Sequence, residues 1–134
     1  MYKLIKINNA RANVPEPVSV RLTAEASAKR AMPVIIADGT LTVASGASET
    51  LPTHVTLAPV SGKVALCYEL TPEAVLEVAV DGDPKAMTVG TEYLLSSDGE
   101  RVSTTKASGT KRGATLISKD GASVDGDTVL VRFR

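Results

Sequence analysis

The sequence predicts a mostly β protein: a small antiparallel β-barrel or β-tulip-like domain with an extended N-terminal arm and at most one or two short helices. Three observations predict this class: apolar and polar residues alternate along many segments, Asp-Gly pairs occur five times, and helix signals are few. Alternation with a period of two is typical of strands with one buried and one solvated face, and Asp-Gly suits tight hairpin turns. A chain of 134 residues is expected to form one domain whose core needs no metal or disulfide.

The N-terminal residues 1–17 are predicted to form the extended arm, and residues 18–134 the single β domain. Pro15 and Pro17 cannot donate hydrogen bonds to a strand ladder, so they mark the boundary. The arm carries apolar and cationic side chains that suit strand addition to the open edge of a neighbouring chain. The residues predicted to make this contact are Tyr2, Lys3, Leu4, Ile5, Lys6, Ile7 and Arg11. The alternative is that residues 1–7 are simply the first strand of the domain's own sheet.

Four segments of the domain show the alternation most clearly. The residues that share a face within each segment are Val18, Val20 and Leu22; Val64, Leu66, Tyr68 and Leu70, opposite Lys63, Ala65, Cys67 and Glu69; Leu76, Val78 and Val80; and Val129, Val131 and Phe133. One face of each strand is expected to be buried, and the last set is predicted to face the core.

Turns and helices are predicted from local residue types. Asp38-Gly39 and Asp98-Gly99 lie between apolar runs and predict hairpins. Residues 24–32 are rich in alanine, which predicts one or two helical turns, with Pro33 as the stop. Residues 71–73 suit either a helix start or a turn, and the β-branched residues that follow favour a turn and a strand. Residues 8–17, 45–52 and 103–113 are predicted to be irregular.

The composition argues against several functional classes. Aromatic residues make up only 3% of the chain, which disfavours binding of sugars or RNA bases by stacking. Lys plus Arg equals Asp plus Glu at 15 each, so the basic surplus typical of nucleic-acid binders is missing. The first residues lack the apolar run of a signal peptide, and no stretch is long enough for a membrane span. We therefore expect a soluble protein, made in the cytoplasm, that binds neither nucleic acid nor membrane.

Candidate catalytic and metal-ligating residues are isolated from one another in the sequence. His54 is the only histidine and is expected to be a surface or edge residue, while the single cysteine, Cys67, is expected to be a small packed residue. The acidic pair Asp81 and Asp83 is followed at once by proline and lysine, so a hairpin turn is favoured over a calcium loop. We expect no catalytic residue, no cofactor and no metal.

The layout of the chain resembles the capsid decoration, or head-stabilising, proteins of tailed bacteriophages. The resemblance lies in the opening MYKLIKINNARANVPEPV, in PVIIADGTLTVASGA and VGTEYLLSSDGERVS, and in the closing DGDTVLVRF. It implies a structural protein on the outside of the capsid that binds the major capsid protein, is made in the bacterial host cytoplasm, and forms a homo-oligomer, a trimer by preference. The family has no catalytic motif. The alternative interpretation is a non-enzymatic β-module for surface or carbohydrate binding, such as a tail or baseplate accessory.

Overall fold

A computed structural model of the chain describes residues 2–6, 17–119 and 121–134, with the backbone alone for residues 3–6. Within these ranges the chain forms eleven strands and one 3₁₀ turn at Pro84–Ala86. The strands run over Lys3–Lys6 (β1), Val18–Ala28 (β2), Pro33–Ala37 (β3), Thr40–Val43 (β4), His54–Thr56 (β5), Val60–Glu69 (β6), Val75–Asp81 (β7), Glu92–Leu95 (β8), Val102–Lys106 (β9), Ala114–Ser118 (β10) and Thr128–Arg132 (β11). The predicted mostly β class is confirmed.

Five strands of the first sheet close into a barrel. The strand order is β1-β7-β11-β10-β8-β9, and β9 returns to pair with β7 in parallel, through Val80 opposite Val102. β11 pairs with one edge of β7. The other edge of β7 pairs with β9 along one part of its length and with β1 along another part. β1 is antiparallel to β7 and lies opposite Leu76 and Glu77, so it fills the part of that edge that β9 leaves open.

The second sheet has the order β2-β6-β5-β3-β4 and is nearly closed. Its two outer strands meet where the backbone N–H of Thr23 donates to the carbonyl oxygen of Gly39 at 2.9 Å. Asp38 and Gly39 form the β3–β4 hairpin turn, and both have positive φ, as the Asp-Gly pair predicts. We call this nearly closed sheet the second barrel. Its interior is lined by small and medium apolar side chains: Leu22, Ala28, Met32, Val34, Leu41, Val60, Ala65 and Cys67.

The two sheets are joined by buried contacts and hydrogen bonds. Ala44 and Val55 of the second sheet belong to the same buried cluster as the core of the closed barrel. The backbone N–H of Gly46 donates to the carbonyl of Ser96 at 3.1 Å, and that of Arg112 donates to Ser48 at 2.9 Å. These bonds use the irregular segment after β4, which the sequence predicts correctly as a loop.

Two local predictions are wrong. Residues 24–32 are not helical: β2 continues to Ala28, and its last residues pair with Val60, Ser61 and Gly62 of β6. The pairing prevails over the helix propensity of alanine, which is a weak preference that tertiary contacts override. Residues 103–113 are irregular only from Ala107 onward, since β9 extends to Lys106.

The buried faces follow the alternation in three of the four segments. Leu76, Val78 and Val80 are buried, as are Val129, Val131 and Phe133. In β2 Leu22 is buried and Val18 and Val20 pack partly against the second barrel's core. In β6 the smaller set, Ala65 and Cys67, faces the interior, and the larger set faces outward. Residues 71–74 form the predicted turn before a strand.

Candidate binding surfaces

The N-terminal strand β1 is an edge strand of the chain's own sheet. It pairs with β7 alone, so its other edge has no strand beside it among the residues that the structure describes. Tyr2, which precedes β1, is buried and packs against Phe133 with ring centroids 5.6 Å apart. Its backbone N–H donates to the carbonyl of Ala31 at 3.0 Å. β1 is therefore anchored at its start, and within the described ranges no strand pairs with its outward row of backbone donors and acceptors.

The Tyr2 hydroxyl is a buried polar group. It has no hydrogen-bond partner in the described part of the chain. Burial raises the pKa of Tyr2 far above its ordinary value, and the negative charge of Asp98 raises it further. The phenol is thus held neutral, and its role in this chain is to fill space beside Phe133.

The outer face of β6 carries two exposed apolar side chains. Val64 is 55% exposed and Leu66 is 43% exposed, and they lie two residues apart on one face. Arg21 of β2 lies opposite Val64 in the antiparallel register, so its side chain shares that face. We call Val64, Leu66 and Arg21 the β6 outer stripe. It is a small apolar surface with a cation at its side.

An acidic loop lies at the end of β7 in the other barrel. We define it as Val124 and Asp125 together with Asp81 and Asp83, all exposed. The carboxylate of Asp125 accepts a hydrogen bond from the backbone N–H of Gly82 at 2.9 Å, which ties the two chain segments together. Val124, which precedes Asp125 in the chain, is 59% exposed.

A third surface is an apolar groove of about 750 Å³ at the mouth of the second barrel. Its lining includes Ala28, Met32, Val43 and Val60. Lys29 on the rim donates to Glu100 at 2.6 Å, and this contact and the charge of Glu100 raise the pKa of Lys29. The ion pair fixes the β8–β9 hairpin beside the groove.

His54 and Cys67 lie in surroundings that do not activate them. His54 opens β5, where burial lowers its pKa and the nearby charge of Glu69 acts in the opposite direction. Its Nδ1 lies 2.8 Å from the hydroxyl of Thr53. Cys67 is buried in the second barrel, and burial raises the pKa of its thiol, which disfavours the reactive thiolate. Cys67 is a packed residue, as predicted.

In the described ranges, no group of three or more His, Cys, Asp or Glu side chains is arranged to hold a metal ion. None of the helical structure found there is long and apolar enough to cross a membrane.

The predicted contact residues of the arm fall into three groups. Tyr2 is buried within its own chain, so its contact with a neighbour stays a prediction for an assembled state. Lys3, Leu4, Ile5 and Lys6 form β1, as the alternative interpretation of this segment expects in a single chain. Ile7 and Arg11 lie outside the described residues. The arm boundary at residue 17 likewise stays a prediction.

Sequence reasoning missed the β6 outer stripe, the acidic loop and the groove. One signal was available for the first: the small residues Ala65 and Cys67 alternate with larger ones. Small side chains suit the interior of a narrow barrel, so they could have marked the inward face. The acidic loop brings together residues more than 40 positions apart in the chain, as the Gly82–Asp125 hydrogen bond shows, and no local pattern indicates that contact.

Together these features define a β protein in which a closed five-stranded barrel is joined to a second, nearly closed sheet. No protein-family model matches the sequence, and no curated protein matches it. Among solved structures the chain is similar to the N base of the head fiber gp8.5 of bacteriophage phi29, with 14% sequence identity and a TM-score of 0.47. The similarity covers 89% of this chain and 93% of that chain. A likeness at this distance carries no argument about the role of this chain.

Proposed function

We propose that this chain is a structural protein of a tailed-phage virion that binds the outside of the capsid and stabilises the shell. Its partner would be the major capsid protein, and the protein would act without catalysis or a cofactor. The finer role, capsid decoration, rests on the sequence resemblance described above. That resemblance also implies a homo-oligomer, with a trimer preferred.

The observation that carries the proposal is the free edge of β1. An edge strand presents unpaired N–H and C=O groups that pair readily with a strand of another chain. Backbone hydrogen bonds made in this way give affinity without any catalytic group. The burial of Tyr2 anchors the start of β1, so the edge is held in place before a partner arrives.

We propose the absence of catalysis from the surroundings of Cys67, the candidate nucleophile, and His54, the candidate base. Cys67 lies in a barrel core with a raised thiol pKa, and its side chain faces away from solvent. His54 lies beside the hydroxyl of Thr53, and that hydroxyl accepts a hydrogen bond from the backbone N–H of Ile36 at 2.9 Å, which ties it to β3. Substituting either residue by Ala is expected to leave capsid binding within a few-fold of wild type.

The test uses proline scanning of β1 in the full chain. Lys3 and Leu4 pair in unbroken register with Glu77 and Leu76, and neighbouring residues of such a strand direct their N–H groups to opposite edges. Of Lys3→Pro and Leu4→Pro, one therefore removes an N–H on the β7 side and the other an outward N–H. The inward variant is expected to melt at lower temperature. The outward variant is expected to keep the wild-type melting temperature and to lose capsid binding by at least about tenfold.

Binding is measured as copies bound per particle, on capsids assembled without this protein. Prolines are preferred to deletion of residues 1–17, because deletion would also remove the buried Tyr2 ring. Failure of the wild-type protein to bind would contradict the proposed function. Equal occupancy for wild type and for the variant with unchanged stability would show that β1 is not the contact.

A further inference from the structure

The β6 outer stripe exposes apolar surface that nothing in the described chain covers. Val64 and Leu66 stand side by side on the outer face of β6, while the interior face of the same strand is filled by Ala65 and Cys67. If β6 presented its other face to the interior, Val64 and Leu66 would be buried and Ala65 and Cys67 would be exposed. An outward pair of this size on a regular strand is typical of a contact surface.

The charge beside the stripe is positive. Arg21 lies opposite Val64 on the same face and is exposed. It belongs to no ion pair found in the described part of the chain. Arginine next to an apolar centre is a frequent composition of protein interfaces. A partner for the stripe should therefore present an apolar side chain flanked by carboxylates.

The acidic loop of the same chain has this composition. The Asp127 carboxylate accepts hydrogen bonds from the backbone N–H groups of Ser123 and Val124, at 2.9 and 3.2 Å. The backbone N–H of Gly126 donates to Val80 at 3.0 Å, and that of Val80 donates to Asp127 at 2.9 Å. These bonds fix the loop in place, so little conformational freedom remains to be lost when Val124 contacts a partner.

The acidic loop carries three carboxylates, and the exposed Lys85 follows Asp83 by two residues. Asp125 lies 4.0 Å from Arg101, so its charge is partly offset. Asp81 and Asp83 are exposed and belong to no ion pair among the residues that the structure describes. Asp83 accepts a hydrogen bond from the backbone N–H of Lys85. Val124 and the carboxylates of Asp81 and Asp83 thus lie on the closed barrel. The complementary β6 outer stripe lies on the other sheet.

We propose that copies of this chain associate head to tail, with the β6 outer stripe of one copy on the acidic loop of the next. Val124 would pack on Val64 and Leu66, and Asp81 and Asp83 would face Arg21. The two surfaces differ, so the contact is heterologous, and such contacts form rings when the rotation between copies closes. The equal numbers of cationic and anionic residues, 15 each, suit a self-complementary chain. The inference deepens the homo-oligomer included in the proposed function, and it is tested without capsids.

The experiment is sedimentation velocity of the full-length protein over a concentration series that reaches the millimolar range. Wild type is expected to associate, and the association should weaken with added salt because charges contribute to it. Leu66→Glu, in the stripe, and Val124→Lys, in the loop, should each weaken association by at least about tenfold. Val89→Glu is the matched control, since Val89 is 55% exposed and belongs to neither surface.

A mixture of the two variants tests whether the contact between copies is head to tail. The Leu66→Glu protein keeps an intact loop, and the Val124→Lys protein keeps an intact stripe, so their mixture should form one-to-one dimers and nothing larger. Association of the Val124→Lys protein with itself at wild-type strength would overturn the proposal in favour of a stripe-to-stripe contact. Wild type that stays monomeric throughout would overturn it in favour of another partner for the stripe. Capsid binding measured in parallel tests the proposed function separately.

Discussion

The ring of Tyr2 packs on the ring of Phe133, with centroids 5.6 Å apart and planes inclined at 41°. This contact joins the residue before the first strand to the residue after the last strand. Both side chains belong to the buried cluster of the closed barrel. The two ends of the chain thus complete one core, and the position of β1 depends on a contact made at the other end of the sequence.

Phe133→Ala is expected to lower the free energy of unfolding by about 3–5 kcal/mol, because a buried phenylalanine leaves a large cavity when truncated. A denaturant titration measures the loss. A loss below about 1 kcal/mol would show that the ring lies at the periphery of the core. A double-mutant cycle with Tyr2→Ala should give a coupling of about 0.5–1.5 kcal/mol, the range for aromatic pairs.

Tyr2→Phe should leave the stability unchanged or raise it by about 1 kcal/mol at neutral pH, because it removes a buried hydroxyl without a described partner. The pKa of Tyr2 is raised in the folded chain, so above the unfolded pKa of 10.0 the phenol ionises more readily in the unfolded chain, and the stability falls as pH rises. Unfolding titrations from neutral to alkaline pH should show a smaller alkaline loss in Tyr2→Phe than in wild type. Identical alkaline profiles would contradict the burial of Tyr2.

Gly99→Ala is expected to destabilise the protein by more than the usual strain of about 1–2 kcal/mol for a left-handed residue with a side chain. Gly99 has a φ of +75°, and a Cβ atom there would overlap the carbonyl oxygen of Ala44 on the other sheet. Gly109→Ala is the matched control, with a φ of +64° and no atom within 4 Å of the added carbon. Equal losses in the two variants, measured by thermal unfolding, would mean that the hairpin does not press on Ala44.

Thr56→Val should destabilise the fold by about 1–3 kcal/mol, because it leaves buried backbone groups without partners. The Thr56 hydroxyl donates to the carbonyl of Lys29 at 2.6 Å and accepts from the N–H of Met32 at 2.9 Å. It thereby holds the turn between β2 and β3, where Ala31 has a φ of +58°. Thr56→Ser keeps the hydroxyl and should recover most of the loss. Equal stabilities for the valine and serine variants would show that packing, and not hydrogen bonding, fixes this turn.

Alternation predicts which residues share a face, and its success depends on whether the neighbours are also apolar. In β7 the valines alternate with Glu77 and Ala79, and the buried face follows at once from the sequence. In β6 both faces carry apolar residues, so periodicity cannot choose between them, and the interior selects the smaller Ala65 and Cys67. In β2 Ala24, Ala26 and Ala28 raise helix propensity, yet the segment pairs with β6 because its backbone groups gain a ladder there.

The candidate surfaces were harder to predict than the strands because they depend on contacts between distant segments. The acidic loop exists because Gly82 donates to Asp125, and the groove is flanked by an ion pair between Lys29 and Glu100. Each pair is separated by dozens of residues. Local residue patterns carry no information on such contacts, whereas the Asp38-Gly39 turn is encoded by two adjacent residues.

The measurement that tests the proposed function most directly is the composition and surface accessibility of purified virions of the phage that, under this proposal, encodes the chain. Quantitative mass spectrometry should find the protein in a fixed ratio to the major capsid protein, and an antibody against it should label intact particles on the outside of the head. Absence of the protein from purified virions, or its release only after the capsid is broken open, would contradict a role on the capsid exterior.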